Sequence, residues 1–205
     1  RYINTRVLAL GKGDSMHGFI IRGIELFLRA RHGDAVWAAV CAATGLDRRG
    51  TQIMRNYKTE MVQRMILSAS TVLHMERDEC LEAVGGWIPR LDSVRYLMRF
   101  SGSCFEDFVL SLDDLHDRAR VVLPGLELPK IATQMIAPQR YSLEILSEAQ
   151  DWYPVLAGLL RGMADDYGVL AIVERNDTSL DVRIVDDRFT EGSQFSLAHE
   201  VGGIA

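Results

Sequence analysis

The stretch Leu110–Lys130, LSLDDLHDRARVVLPGLELPK, sets one histidine into the apolar stripe of a helix and follows it with two prolines. In the wider window Cys104 to Val122, the residues Phe105, Phe108, Val109, Leu112, Leu115, His116 and Ala119 recur at steps of three and four. That spacing predicts one continuous helix, with Asp113, Asp114, Asp117 and Arg118 towards its solvated side. Pro124, Gly125 and Pro129 end it, because proline has no N–H for a helical bond. A histidine in such a stripe is either a core residue bonded to a carbonyl or a ligand. One imidazole is too few for a zinc site made by protein alone. It suffices for heme, whose macrocycle supplies four nitrogens and leaves one axial place to the protein.

The chain changes character on either side of this stretch. From Met16 to Phe100 the pattern is helical almost throughout. Phe19, Ile20, Ile24, Phe27 and Leu28 mark a first helix that Gly33 stops, and Asp34 caps a second that ends near Gly45. Further helical runs cover about Lys58 to Met75, Arg77 to Val84 and Asp92 to Phe100. Beyond Pro129 the period changes, with alternation at Tyr141–Ile145 and Leu180–Val185 and a short apolar run at Val169–Val173. Strands are expected at Ile131–Ala137, Tyr141–Ile145, Val169–Val173 and Leu180–Val185, with a helix over Tyr153–Tyr167 that Gly168 stops. Asn176 and Asp177 suit a turn between the last two strands. The fold class is therefore α+β: a helical subdomain packed on a subdomain with a mostly antiparallel four-stranded sheet. The expected boundaries are an extension or linker at 1–15, one domain at 16–189 with its helical part ending near 100, and a tail at 190–205.

The chain has 205 residues, 48% of them apolar, enough for one domain with a sizeable core. Net charge is -5 and the basic residues are scattered, which argues against nucleic acid as a partner. Cys41, Cys80 and Cys104 lie far apart and are odd in number, so neither a disulfide framework nor a cysteine zinc site is expected. No run approaches the roughly 18 apolar residues that cross a bilayer, and the first fifteen residues lack a signal-peptide pattern. A reducing cytoplasmic setting follows as the expectation, with no membrane association.

Catalytic motifs are poorly supported. The Gly11-x-Gly13 pair lacks a third glycine, and His74, Glu76 and Asp78 form the kind of charge cluster that usually marks a solvated helix end. His17, His32 and His199 show no metal-ligand spacing. The chain is not expected to be an enzyme.

Three blocks in order, MHGFIIRGIELFLRARHGDAVWAAVCAATGL, FVLSLDDLHDRARVVLPGLELPK and WYPVLAGLLRGMADDYG, resemble the heme-nitric oxide/oxygen binding (H-NOX) family. The resemblance runs from about Met16 to Phe189. It rests on Met16-x-Gly18, on His32-Gly33 with Trp37 behind, on the histidine helix, and on a proline thirteen residues after that histidine. It implies that His116 is the axial ligand of a heme b iron and that Pro129 presses on the porphyrin, with Leu112 and Leu115 beside them. Ile20, Ile24, Val155 and Leu159 would line the opposite, distal face. Oxygen-binding members offer a tyrosine where this chain has Val155, so the resemblance implies binding of nitric oxide at a five-coordinate ferrous heme. The change would be signalled by conformational change to a partner, a histidine kinase or a cyclic-di-GMP enzyme by analogy with bacterial members.

One motif departs from the family. Its Tyr-x-Ser-x-Arg cradle for the heme propionates falls on Ile145, Ser147 and Ala149, which keeps the serine alone. Arg140 is a candidate replacement for the arginine. The alternative expectation is a heme-free H-NOX-like scaffold that works as a protein-interaction or apolar-ligand module.

Overall fold

The structure is a computed structural model, and it describes residues 15–147 and 149–186. The expected extension before Ser15 and the tail at 190–205 lie outside the described residues. A short strand β1 (Ser15–His17) pairs antiparallel with β2 (Asn56–Lys58), placing Met16 opposite Tyr57. The sequence expectation of helix from Met16 is corrected here: three residues are too few for alternation to register, and helix α1 (Gly18–His32) starts two positions later.

The start of α1 is fixed by close packing. A Cβ on Gly18 would lie 2.1 Å from the carbonyl oxygen of Gln52, so only glycine lets the helix begin against that loop. Farther along, the fully buried Glu25 accepts bonds from the Thr51 N–H and hydroxyl, both at 2.7 Å, and from Arg22 at 2.7 Å. A buried carboxylate needs such partners, and these tie the loop before β2 to α1. Helix α2 (Asp34–Thr44) follows. Asp34 is its first residue rather than its cap, since Gly33 takes the N-cap position at φ 85° and no side chain caps the helix. Helices α3 (Thr59–Leu73), α4 (Arg77–Trp87) and α5 (Asp92–Arg99) complete the helical half, with a 3₁₀ turn at Ile88–Arg90. Leu28, Trp37, Val40, Met65, Ile66 and Leu81 are among the residues of its core.

The expected single helix over Cys104–Val122 is broken. It consists of α6 (Phe105–Leu110), a 3₁₀ turn (Ser111–Asp114) and α7 (Leu115–Val122). Polar side chains at the break have other partners: the Ser111 hydroxyl donates to the Phe108 carbonyl at 2.7 Å, and the Asp113 carboxylate accepts the Thr133 N–H at 2.5 Å. Apolar periodicity is blind to that competition.

Four strands follow as expected: β3 (Ile131–Ala137), β4 (Arg140–Ile145), β5 (Leu170–Arg175) and β6 (Leu180–Asp186). They form one antiparallel sheet in the order β3-β4-β6-β5. Helix α8 (Trp152–Tyr167) connects β4 to β5 and packs on the sheet through Leu156, Leu160 and Met163, against Phe108, Leu112, Leu143 and Val182. The α+β class stands.

Among the described residues, the most extensive contact between two elements joins α4 of the helical half to α8 of the sheet half. Glycines permit it. A Cβ on Gly85 would lie 2.0 Å from the Val155 carbonyl oxygen, and one on Gly158 would lie 2.0 Å from that of Glu82. Ion pairs rim the seam: Arg77 with Asp151, Glu82 with Arg161, and Asp78 with Arg175 at 3.0 Å.

Candidate functional site

His116 lies in the first turn of α7, and its Nδ1 approaches the Leu128 carbonyl oxygen at 2.5 Å. A carbonyl only accepts, so in the neutral imidazole Nδ1 carries the proton and Nε2 keeps its lone pair. This is the tautomer a metal ligand needs, and the second-shell carbonyl also fixes the ring orientation. None of the eight residues of α7 is fully buried. Leu115, His116 and Ala119, the inward stripe of the sequence pattern, are half-buried, whereas Leu112 one turn earlier is fully buried. Protein covers this helix less completely than its stripe would lead one to expect.

The link from α7 to β3 carries Pro129, which is half-buried. It meets the start of α1. The place a Cβ would take on Gly125 is 3.8 Å from Cδ2 of His17, whose Nδ1 accepts the Phe19 N–H and caps α1. The link between His116 and Pro129 thus abuts the first turn of the helix that carries Ile20 and Ile24.

The other predicted residues fall into two groups. Ile24 and Val155 are buried in the core of the helical half, with Ile20 half-buried against it. Leu112 and Leu159 are buried in the sheet-side core, with Leu115 half-buried against it. Val155 and Leu159 are one turn apart on α8, so that helix lines both groups. The side chains at Ile20, Ile24, Val155 and Leu159 hold no polar atom, and this face offers no side-chain donor at those positions.

Ser147 lies in the link between β4 and α8, where its hydroxyl accepts the Ala149 N–H at 3.3 Å. Ile145 and Ala149 are buried, Ile145 inside the sheet-side core. These positions face inward and do not form a polar cradle. Arg140 does not replace it, being exposed and at the opposite end of β4 from Ile145, about 17 Å away at the usual rise per residue.

A different arginine reaches this end of the molecule. Arg77 begins α4 and forms the ion pair with Asp151, the residue before α8, with side-chain exposures of 25% and 12%. Nη2 is paired with the carboxylate, and the buried Nε has no hydrogen-bond acceptor among the described residues. Each unsatisfied buried donor of this kind costs about 1–3 kcal/mol. Sequence reasoning missed Arg77. Its partner is 74 positions away, and nothing in the local pattern distinguishes it from the other surface arginines.

The remaining chemistry is sparse. Among the described residues, no group of three or more His, Cys, Asp or Glu is placed to hold a metal ion, and no helix is long and apolar enough to cross a membrane. Cys41 and Cys80 are buried, and burial pushes both thiols up, away from the reactive thiolate. An open groove of about 410 Å³ lined by Asp117, Arg120, Val121, Pro124 and Gly125 runs beside α7 and does not include His116.

The His116 imidazole, with Nδ1 bonded to the Leu128 carbonyl, has the donor chemistry that a heme iron takes from one axial histidine. At the carboxylate end of heme the motif positions Ile145 and Ala149 are buried and apolar and do not fit.

Known proteins share this architecture. The family model described as "Haem-NO-binding" matches residues 17–174. Two curated relatives are soluble guanylate cyclases of Caenorhabditis elegans: gcy-31, 20% identical over 82% of this chain, and gcy-35, 24% identical over 83%. The chain spans about a quarter of their length, 25% and 26%. Among solved structures, an H-NOX protein from S. oneidensis in the Fe(II)NO ligation state superposes with a TM-score of 0.74 at 18% identity, covering 83% of this chain and all (100%) of that one. An oxygen-binding H-NOX domain related to soluble guanylate cyclases gives 0.70 at 18% identity, covering 83% and 96%. At such identity these structures establish the fold.

Proposed function

The chain belongs to the haem-NO-binding family, and from that premise we propose that it is a heme-based nitric oxide sensor domain which signals to a partner protein by conformational change. The family is one of sensors, so no reaction is assigned. The sensing unit is residues 16–189, the setting is cytoplasmic, and the cofactor is heme b. When bound, heme supplies a ferrous iron with one coordination position open to a diatomic gas.

The reading is carried by the His116–Leu128 bond, which leaves Nε2 to the iron. Pro129, Leu112 and Leu115 support the macrocycle on that side, and Ile20, Ile24, Val155 and Leu159 exclude water from the other. Val155 donates nothing, so dioxygen gains no hydrogen bond there, whereas nitric oxide requires none. Movement of α7 relative to the α1 start is the output, and differential ligand affinity between two arrangements drives it. A histidine kinase or a cyclic-di-GMP enzyme is the proposed reader.

The test is spectroscopic. The purified chain, given hemin and reduced, is expected to show a Soret band that shifts on adding nitric oxide and is lost in His116→Gly. A chain that takes up no hemin would sink the reading. It would favour the heme-free scaffold, a protein-interaction or apolar-ligand module, for which the buried Ile145 and Ala149 at the cradle positions speak.

A further inference from the structure

The face of the larger sheet turned away from α8 carries its charges in rows of one sign. Tyr141, Leu143, Val173, Val182 and Ile184 belong to the core, so Arg140, Ser142 and Glu144 on β4, Asp181 and Arg183 on β6 and Glu174 on β5 lie on the outer face. Strand register sets Arg140 directly opposite Arg183, and Asp181 directly opposite both Glu174 and the small Ser142. Like charges in such positions repel. The arginine row and the acidic row are two residues apart along β6, about 7 Å at the usual rise. Among the described residues, Arg140, Arg183, Asp181, Glu174 and Glu144 make no ion pair.

Both edges of this sheet carry a side-chain cap. At β3 the Asp113 carboxylate accepts the Thr133 N–H at 2.5 Å, and at β5 Arg161 donates to the Val173 carbonyl at 2.7 Å. Capped edges oppose the addition of a further strand, which leaves the face for association. A partner of one charge would satisfy one row and repel the other. A second copy satisfies both, because a two-fold axis running across the strands between the rows lays the arginine row of each copy over the acidic row of the other. We propose that this outer face is a docking surface for a second copy of the chain, with Arg140 and Arg183 of each copy meeting Asp181 and Glu174 of the other. Half-buried Ile172 and exposed Val185 add apolar area to the same face. Heme takes no part in the contact.

The experiment measures self-association of the full 205-residue chain by sedimentation equilibrium. A dimer is expected at low ionic strength, weakened about tenfold or more at about 1 M salt, where exposed charges are screened within about 3 Å. Two variants each give the face a single sign. Arg140→Glu with Arg183→Glu makes it acidic, and Glu144→Lys with Glu174→Lys and Asp181→Lys makes it basic. Each variant alone should self-associate about tenfold or more weakly than wild type, and an equimolar mixture of the two should form the mixed dimer.

Circular dichroism of each variant, expected to match wild type, keeps a folding defect from being read as a lost contact. A wild-type chain that stays monomeric at every concentration and salt overturns the interface. So does undiminished self-association of either folded variant, which would place the contact elsewhere. A mixture that associates no better than its two components overturns it as well.

Discussion

Nδ1 of His116 bonds to the carbonyl of Leu128, the residue immediately before Pro129. One contact therefore fixes the imidazole tautomer and ties α7 to the segment that enters the sheet. The backbone supplies the acceptor, so no substitution at Leu128 removes it directly.

Replacing the ring tests its role. His116→Gly is expected to lose the histidine-ligated ferrous spectrum, and added imidazole should restore it from solution. A ferrous spectrum identical to wild type in His116→Gly would assign the iron to another residue.

Under the proposed heme reading, Val155 is the position at which one hydroxyl should change ligand choice. Val155→Tyr adds a donor and is expected to slow dioxygen release tenfold or more, a difference of about 1.4 kcal/mol, while nitric oxide binding is retained. Stopped-flow release rates on the reduced, heme-loaded protein measure this. No change in either ligand would mean that position 155 does not face the iron.

Glycines separate packing from propensity. Gly158→Ala would place a Cβ 2.0 Å from the Glu82 carbonyl oxygen and should destabilise the fold by about 3 kcal/mol, as severe overpacking does. Gly23→Ala, inside α1 with nothing within 4 Å, should stabilise it by about 0.5–1 kcal/mol. Denaturant midpoints at constant slope decide both.

Alkaline pH probes the sheet-side core. Burial, and then the nearby Glu106 carboxylate, push the Tyr141 phenol up to about 12. Between pH 10 and 12 the unfolded chain releases this proton and the folded chain keeps it, so stability falls as pH rises through that window. The two-unit difference is worth at most about 2.7 kcal/mol. Tyr141→Phe should flatten the loss, and equal alkaline sensitivity in the two proteins would show that another group controls it.

The long elements were legible because their apolar residues repeat often enough: α1 and α8 follow the helical period and β4 and β6 alternate. Sites of local competition were not. Three-residue strands show no period, and Ser111 and Asp113 break a helix through bonds that hydrophobicity does not encode. His116 and Pro129 stand out in the sequence through their spacing within a family pattern. Arg77 and the glycine seam were not, because both acquire meaning only when α4 and α8 meet.

The seam also distributes stiffness through the molecule. At Gly85–Val155 and Gly158–Glu82 the two halves touch backbone to backbone, with no side chain between them to bend. Strain arriving at α8 passes to α4 undamped, as through a rigid strut. Compliance must then reside where cover is thinnest, in α7, whose eight residues include none fully buried. Under the proposed sensor reading, α7 would be the element that yields first, and the seam would carry its shift from one half to the other.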